Sequence, residues 1–331
     1  MSTRTTERLV YERGPRGERD LERAAELLRA GGLVAFPTET VYGLGAVALD
    51  ADAVRRIFEA KGRPPTNPLI VHVASIEQAR QVAANWPEAA ERLAARFWPG
   101  PLTLVLPRAP AVPPEVSGGL EAVGIRLPAH PAARALIERV GAPLAAPSAN
   151  PYTGISPTSA EHVAKGLSGR IEAILDGGET TVGIESTVLD LSVDRPRILR
   201  PGAVCAAEIE EVIGPVERLA GGAEEALPSP GLARRHYAPK ARVVLLGADE
   251  LGARAASADA SVGVMAILPP PPARGAARWI AMPDDPAAYA RQLYRTLHAL
   301  EDAGVKELWI ELPPAEEAWD GVRDRLHRAA G

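Results

Sequence analysis

Short apolar runs alternate with amphipathic helical stretches along most of this chain, and that alternation limits the fold to the α/β classes. Leu21, Ala24, Ala25 and Leu28 recur at helical spacing and stop at Gly31-Gly32, after which "LVAFPT" reads as a buried strand. "DADAVRRIFEAKG" then predicts a helix with Ala53, Val54, Ile57 and Phe58 on one face and Gly62 as its C-terminal stop. "PLIVHVAS" is a strand, and "SIEQARQVAANW" and "PEAAERLAARFW" are helices. Further strands are expected at "LTLVLP", "VGIRLP", "PLAAP", "EAILD" and "STVLDLS", with helices at "PAARALIERVG", "SAEHVAKGL" and "AAEIEEVIG". Strands that succeed one another with no helix between them predict a mixed sheet.

The periodicity fails between Val216 and Lys240, where "ERLAGGAEEALPSPGLARRHYAPK" has the Gly, Ala and Pro content of a linker. Beyond it, "ARVVLLGA", "SVGVMAIL", "ARWIAMP" and "VKELWIELP" read as strands, and "DPAAYARQLYRTLHALEDAG" and "AEEAWDGVRDRLHRAA" as amphipathic helices. The expected organisation is therefore a mixed-sheet α/β domain over 1–216, a linker over 217–240, and a small open α/β domain over 241–331. "PPPP" at 269–272 reads as a stiff connector, and there is no internal repeat.

A net charge of −5 and a pI near 5.8 argue against a dedicated nucleic-acid binder and favour a small-molecule substrate. Cys205 is the sole cysteine, so neither an intramolecular disulfide nor a thiolate metal cluster can form, which suits a reducing compartment. The N-terminal "MSTRTTERLVYERGPRGERD" has no signal-type apolar core, and no window approaches the roughly 20 apolar residues of a span, so the cytoplasm is expected. There is no Gly-Lys dipeptide, hence no Walker A loop, and neither G-x-S-x-G nor H-E-x-x-H occurs. "GLGAVA" at 43–48 matches a loose dinucleotide fingerprint, but the residues after it look extended rather than helical, which argues against that use.

The residue bias then becomes informative. Of the 37 Lys and Arg residues only Lys61, Lys165, Lys240 and Lys306 are lysine, and Asn67, Asn85 and Asn150 are the only asparagines. In "KGRPPTNPLIVHV" a Lys, an Arg and an Asn nevertheless crowd together ahead of a strand. Set beside "FPTETVYGLG", "GIRLP", "APSANPYTGISPTS", "GIESTV" and "ILRPG", all at strand edges, the stretch completes a set of hydroxyls, guanidinium groups, an ammonium, carboxamides and a histidine. No obvious catalytic carboxylate pair accompanies them. Such a set suits a polyphosphate-like anion bound together with a second small polar ligand.

In order and spacing, the K-x-R followed by N-P-L, the S-x-N, the E-S-T-V, the R-P-G and the linker "SPGLARRHYAP" closely resemble the threonylcarbamoyl-AMP synthase family, in the long form of the YrdC-type domain. The resemblance covers essentially the whole chain. It implies a YrdC-like twisted mixed β-sheet domain with flanking helices and a smaller Rossmann-like C-terminal domain. It further implies a nucleotidyltransferase that joins L-threonine, bicarbonate and ATP into threonylcarbamoyl-adenylate and pyrophosphate. A separate transferase system then uses the product to modify the adenosine beside the anticodon of tRNA.

On that resemblance Lys61, Arg63 and Arg200 hold the triphosphate, Lys61 and Arg63 acting on the leaving pyrophosphate. Asn67 and Asn150 are ATP contacts or plain turn residues beside Pro68 and Pro151; Thr158 is an ATP contact or the cap of the helix just after it. Thr40, His72, Arg126, Ser148 and Ser186 are assigned to L-threonine, Arg126 as the carboxylate clamp. The plainer reading is an ion pair for Arg126 and core packing for His72. Tyr42 lines the pocket wall or packs in the core. Tyr237 of "HYAP" is expected to touch ATP as a lid, its alternative being an exposed linker residue. Mg²⁺ is expected to be bound mainly through the ATP phosphates, with no protein metal ligands. Two competing readings are an RNA-binding module and a carbamoyl-adenylate enzyme of hydrogenase maturation; the acidic charge counts against the first and the single cysteine against the second.

Overall fold

A computed structural model describes residues 5–218, 236–270 and 277–331. Most of the expected linker, including the first part of "SPGLARRHYAP", and the second half of "PPPP" lie outside the described residues. Among the described residues, eleven strands build the larger sheet. In chain order they are β1 (Glu7–Val10), β2 (Val34–Pro37), β3 (Tyr42–Val47), β4 (Ile70–His72), β5 (Leu102–Pro107) and β6 (Ala122–Arg126). They continue with β7 (Leu144–Ala145), β8 (Ala173–Asp176), β9 (Thr187–Asp190), β10 (Arg197–Arg200) and β11 (Glu217–Arg218). Their spatial order is β1-β8-β2-β3-β7-β4-β6-β5-β9-β10-β11. Pairing is mixed: β2 with β3 and β5 with β6 are antiparallel, and β4 with β6 and β5 with β9 are parallel.

Period-two side chains explain why both faces of this sheet are covered. Val34 and Phe36 enter the cluster formed with helices Pro15–Arg29 and Pro131–Val140, while Ala35 faces the opposite cluster with Leu44 and Ala46. The helix Ala51–Lys61 supplies the expected Ala53, Val54, Ile57 and Phe58 to that second cluster. Asp50 caps its N-terminus by accepting from the amides of Asp52 and Ala53, and Gly62 ends it in the left-handed region at φ 67°. "GLGAVA" lies in β3 up to Val47 with Ala48 in the turn that follows, and the next helix begins at Ala51, so the residues after it are a turn and a helix start and not the extended run expected.

The second sheet is wholly parallel, with β12 (Arg242–Leu246), β13 (Val262–Ala266), β14 (Arg278–Ala281) and β15 (Glu307–Glu311) in the order β12-β15-β13-β14. Helices Pro286–Asp302 and Asp320–Ala330 occur where periodicity placed them; helix Ala248–Ala255 is additional. One boundary differs from expectation. The larger sheet continues to Arg218, because Glu217 and Arg218 pair in parallel with Arg197 and Ile198. In addition, Val41, Ile155 and Ile184 of the larger-sheet region pack in one hydrophobic cluster with Leu293, Tyr294, Val322 and Leu326 of the second. Among the described residues no helix is long and apolar enough to cross a membrane.

Candidate active site

Strand register gathers the motifs on one edge of the larger sheet. β2 and β3 are joined through the turn that carries Thr38 and Thr40, and Pro37 pairs with Tyr42. The parallel partnership of β4 and β6 sets His72 opposite Arg126. β5 runs antiparallel to β6 and parallel to β9, and β10 runs antiparallel to β9, so Ser186 at the start of β9 and Arg200 at the end of β10 reach the same edge. Between them lies an open cleft, lined by Thr40, Arg63, His72, Arg126, Ser148, Ser186, Arg200 and Tyr237 among others. Eight of the proposed site residues therefore border one space.

At one side, Arg126 is buried and donates through Nη1 to Thr40 Oγ1 at 2.9 Å and through Nε to the Gly100 carbonyl at 3.2 Å. Its Nη2 pairs with Glu39 at 2.6 Å, so the plainer ion-pair reading is realised at the same time as the cleft position. Thr40 Oγ1 also shares a 2.8 Å hydrogen bond with Thr38 Oγ1. His72 is enclosed beside Phe36, with Nδ1 buried and not hydrogen-bonded. Burial first, and then the Arg126 charge, push His72 down to about 3, so it is a neutral imidazole at neutral pH.

At the other side, Arg63 and Arg200 both line the cleft. Arg63 is steadied by the carbonyls of Pro68 at 2.8 Å and Asn67 at 3.2 Å, and burial pushes it down to about 10. Arg200 donates to the Ser186 carbonyl through Nη2 at 3.0 Å and Nε at 3.2 Å, and to the Tyr237 hydroxyl at 3.4 Å. Lys61 ends its helix, where a cation suits the helix dipole, but its buried Nζ reaches across to the carbonyls of Ser148, at 2.6 Å, and Asn150. Burial, reinforced by Arg63, holds the Lys61 ammonium well below its usual range. Concentrated, desolvated positive charge of this kind is a receptor for an anion.

Four assigned residues stand behind the cleft wall instead of lining it: Lys61, Asn67, Asn150 and Thr158. Asn150 Nδ2 donates to the carbonyls of Pro151 and Gly154, both at 2.8 Å, which is turn chemistry. The Asn67 side chain donates only weakly to the Tyr152 hydroxyl, at 3.5 Å, and it is its backbone carbonyl that serves Arg63. Thr158 is not the helix cap; Ser159 is, accepting from the His162 amide at 3.3 Å. Tyr42 packs in the core with its hydroxyl on the Gly178 carbonyl at 2.7 Å, and is not in the cleft wall. Tyr237 is only 1% exposed, wedged against Tyr294 and Arg325, so it has a core to fill and is no exposed linker residue.

Sequence reasoning passed over two cleft residues, Glu185 and His236, and the buried Glu39 that pairs with the cleft residue Arg126. Glu39 and Glu185 are buried carboxylates hidden among the hydroxyls of "PTET" and "GIEST", where neither forms an acidic pair that a motif scan would notice. His236, beside the singled-out Tyr237, is buried with both ring nitrogens lacking hydrogen bonds and is pushed by burial down to about 3. Its amide donates to the Arg328 carbonyl and that of Ala238 to the Thr153 carbonyl, which fastens this segment between the two sheets.

Two family models divide the chain. The Sua5/yciO/yrdC model, described as "Telomere recombination", matches residues 26–202, and the model described as "Threonylcarbamoyl-AMP synthase, C-terminal domain" matches residues 204–331. The chain belongs to the threonylcarbamoyl-AMP synthase family, in its two-domain form. The threonylcarbamoyl-AMP synthase of Pyrococcus abyssi is 46% identical over 320 residues, 93% of either chain. That of Bacillus subtilis is 54% identical over 228 residues, 68% of this chain and 66% of the other. The crystal structure of P. abyssi Sua5 complexed with L-threonine superposes with a TM-score of 0.90 at 43% identity, covering 98% of this chain and 97% of that one. Family membership makes this protein an enzyme of the nucleotidyltransferase type with small-molecule substrates, ATP among them.

Proposed function

We propose that the protein makes L-threonylcarbamoyl-AMP from L-threonine, bicarbonate and ATP, the first step of threonylcarbamoyladenosine formation in tRNA. The observation that carries this reading at the level of residues is the single cleft receiving Arg126 with Thr40 on one side and Arg63 with Arg200 on the other. The two sides suit the two anions to be joined.

The Arg126 side takes the threonine carboxylate, and Ser148 and Ser186 offer hydroxyls to the amino acid. Bicarbonate and the threonine amine form an N–C bond with loss of water. A carbamate oxygen then attacks the α-phosphorus, the bond to the β-phosphate oxygen breaks, and pyrophosphate departs with the negative charge. Arg63 and Arg200 hold the polyphosphate and stabilise that charge, and Lys61 acts by fixing the loop of Ser148 and Asn150. Asn67, Asn150 and Thr158 shape the wall in this reading. Tyr237, hydrogen-bonded to Arg200, closes the nucleotide side and keeps water from a labile mixed anhydride.

Among the described residues no group of three or more His, Cys, Asp or Glu is placed to hold a metal, and the cleft's Glu185 is already committed to Arg325, Tyr294 and Ser156. Mg²⁺ therefore fits as an ion carried by the ATP phosphates, whose charge it would screen. The reading divides labour between a catalytic domain whose sheet runs to Arg218, a connector that bears Tyr237, and a second α/β domain over 241–331. It also places the enzyme in the cytoplasm, handing its product to a separate tRNA transferase. The test is pyrophosphate release from ATP with bicarbonate, comparing L-threonine, L-serine, L-valine and no amino acid. Release that requires threonine and bicarbonate supports the reading, and ATP left intact with every amino acid overturns it.

A further inference from the structure

The C-terminal domain carries no recognisable catalytic set, yet its two longest helices press directly on loops that line the cleft. Gly183 approaches the helix Pro286–Asp302 so closely that an added Cβ would lie 2.4 Å from the Ala290 carbonyl oxygen, and a Cβ on Gly321 would lie 2.7 Å from that of Gly202. These contacts flank Glu185 and Arg200. Where the backbones meet, two side chains reach farther. Arg325, 1% exposed, donates from Nε to Glu185 Oε2 at 2.7 Å, from Nη2 to the Glu185 carbonyl at 3.2 Å and from Nη1 to the Pro201 carbonyl at 3.0 Å. Tyr294 donates its hydroxyl to the same Oε2 at 2.9 Å, and Ser156 donates to Oε1 at 2.6 Å.

We infer that Arg325 and Tyr294 are positioning residues for the reaction, holding Glu185 and thereby the Ser186 carbonyl on which Arg200 is aimed. The chain of contacts is continuous. Arg325 grips both the carboxylate and the carbonyl of Glu185, the next carbonyl accepts two donors from Arg200, and Arg200 reaches Tyr237. The Arg325 guanidinium also lies 5.4 Å from the Tyr237 ring, so one C-terminal residue braces the cleft wall and the lid residue together. Burial alone would push the Glu185 carboxyl up, but Arg325 and Arg200 hold it down to about 2, so it stays an anion between them. A planar fork that meets a carboxylate and two carbonyls is geometry lysine cannot reproduce.

The inference rests on the synthase reading and is tested with the full-length chain. Steady-state pyrophosphate release is measured for wild type, Tyr294→Phe, Arg325→Lys and Asp302→Asn, varying ATP and threonine separately. Asp302→Asn breaks the ion pair with Lys165, an interdomain contact at the surface, and is expected to leave both kinetic constants unchanged. Arg325→Lys is expected to lower kcat by on the order of 10- to 100-fold, the range for a misaligned reacting group, with a smaller change in KM for threonine. Tyr294→Phe, which removes one hydroxyl, is expected to lower kcat less, and its effect should vanish in a Glu185→Gln background because both act through one carboxylate. Normal kcat in folded Arg325→Lys and Tyr294→Phe, or losses that track only the folded fraction by circular dichroism, would overturn the inference. A wild type inert toward ATP, threonine and bicarbonate instead sinks the synthase reading, and this inference with it.

Discussion

Lys61 Nζ donates to the carbonyl oxygen of Ser148 at 2.6 Å, across 87 residues of sequence. The pair ties the K-x-R segment to the S-x-N loop and turns a helix-terminal cation into a strut beneath the cleft. Lys61→Ala would leave two buried carbonyls without a donor, at a cost of roughly 1–3 kcal/mol each. It should also lower kcat/KM for pyrophosphate release by on the order of 10- to 100-fold, as a misplaced cleft wall does. Thermal melts and steady-state kinetics on the same preparation separate the two effects.

Arg126 is expected to report on threonine and not on ATP. Arg126→Ala removes a charged hydrogen-bond partner worth about 1.5–3 kcal/mol, so KM for threonine should rise about 10- to 150-fold. KM for ATP should move far less, because Arg63 and Arg200 lie on the other side of the cleft. Titrating each substrate at saturating concentrations of the other gives the answer.

Selectivity follows from hydroxyl chemistry. Thr40, Ser148 and Ser186 make the amino-acid side of the cleft polar, so valine, which lacks the hydroxyl, should be rejected by about 10⁴-fold or more. Serine lacks only a methyl group and should be discriminated by about 10- to 200-fold. Comparing kcat/KM for the three amino acids measures both ratios.

Acid should destabilise the fold in two stages. His72 and His236 are pushed to about 3, and His162 and His298, stacked 3.8 Å apart, to about 4, in each case chiefly by burial. A histidine whose folded pKa lies below its unfolded 6.5 favours the native state fully above pH 6.5 and progressively less as the pH falls towards the folded value. Glu185, held at about 2 against 4.5 unfolded, adds its own loss below about pH 4.5. Tm should be nearly flat from pH 7 to 8, fall below about 6.5, and fall more steeply below about 4.5. His298→Gln should make the first decline shallower.

Gly183 and Gly178 share a φ of 88°, but only Gly183 is pressed against another backbone. Gly178→Ala meets nothing within 4 Å and should cost only the left-handed strain, about 1–2 kcal/mol. Gly183→Ala must in addition displace the helix that carries Tyr294, adding about 1–3 kcal/mol of overpacking. Paired denaturant melts of the two variants check this, and equal losses would count against tight docking of that helix.

The sequence by itself determined the elements and the chemistry on offer. Period-two and helical spacing placed most of the strands and helices and the stop at Gly62, because those signals are local and each apolar face must find cover, but not the short edge strands β1 and β11. Residue types at the strand edges marked a cleft for anions, since guanidinium groups and hydroxyls have few other reasons to recur there. Helix Ala248–Ala255 was not legible, having only Leu251 and Ala255 buried, too few to set a period. The tertiary structure alone decided which motif residues face the cleft. Arg63 and Arg200 line it while Asn67, Asn150 and Thr158 turn to neighbouring backbone or side chains, although all stood in equally suggestive motifs. It also decided that Glu185 would meet Arg325, 140 residues away, and that Tyr237 would be buried. Hydrogen-bond partners are chosen by proximity after folding, and nothing in the local chemistry of "GIEST" or "HYAP" encodes what a distant helix will bring.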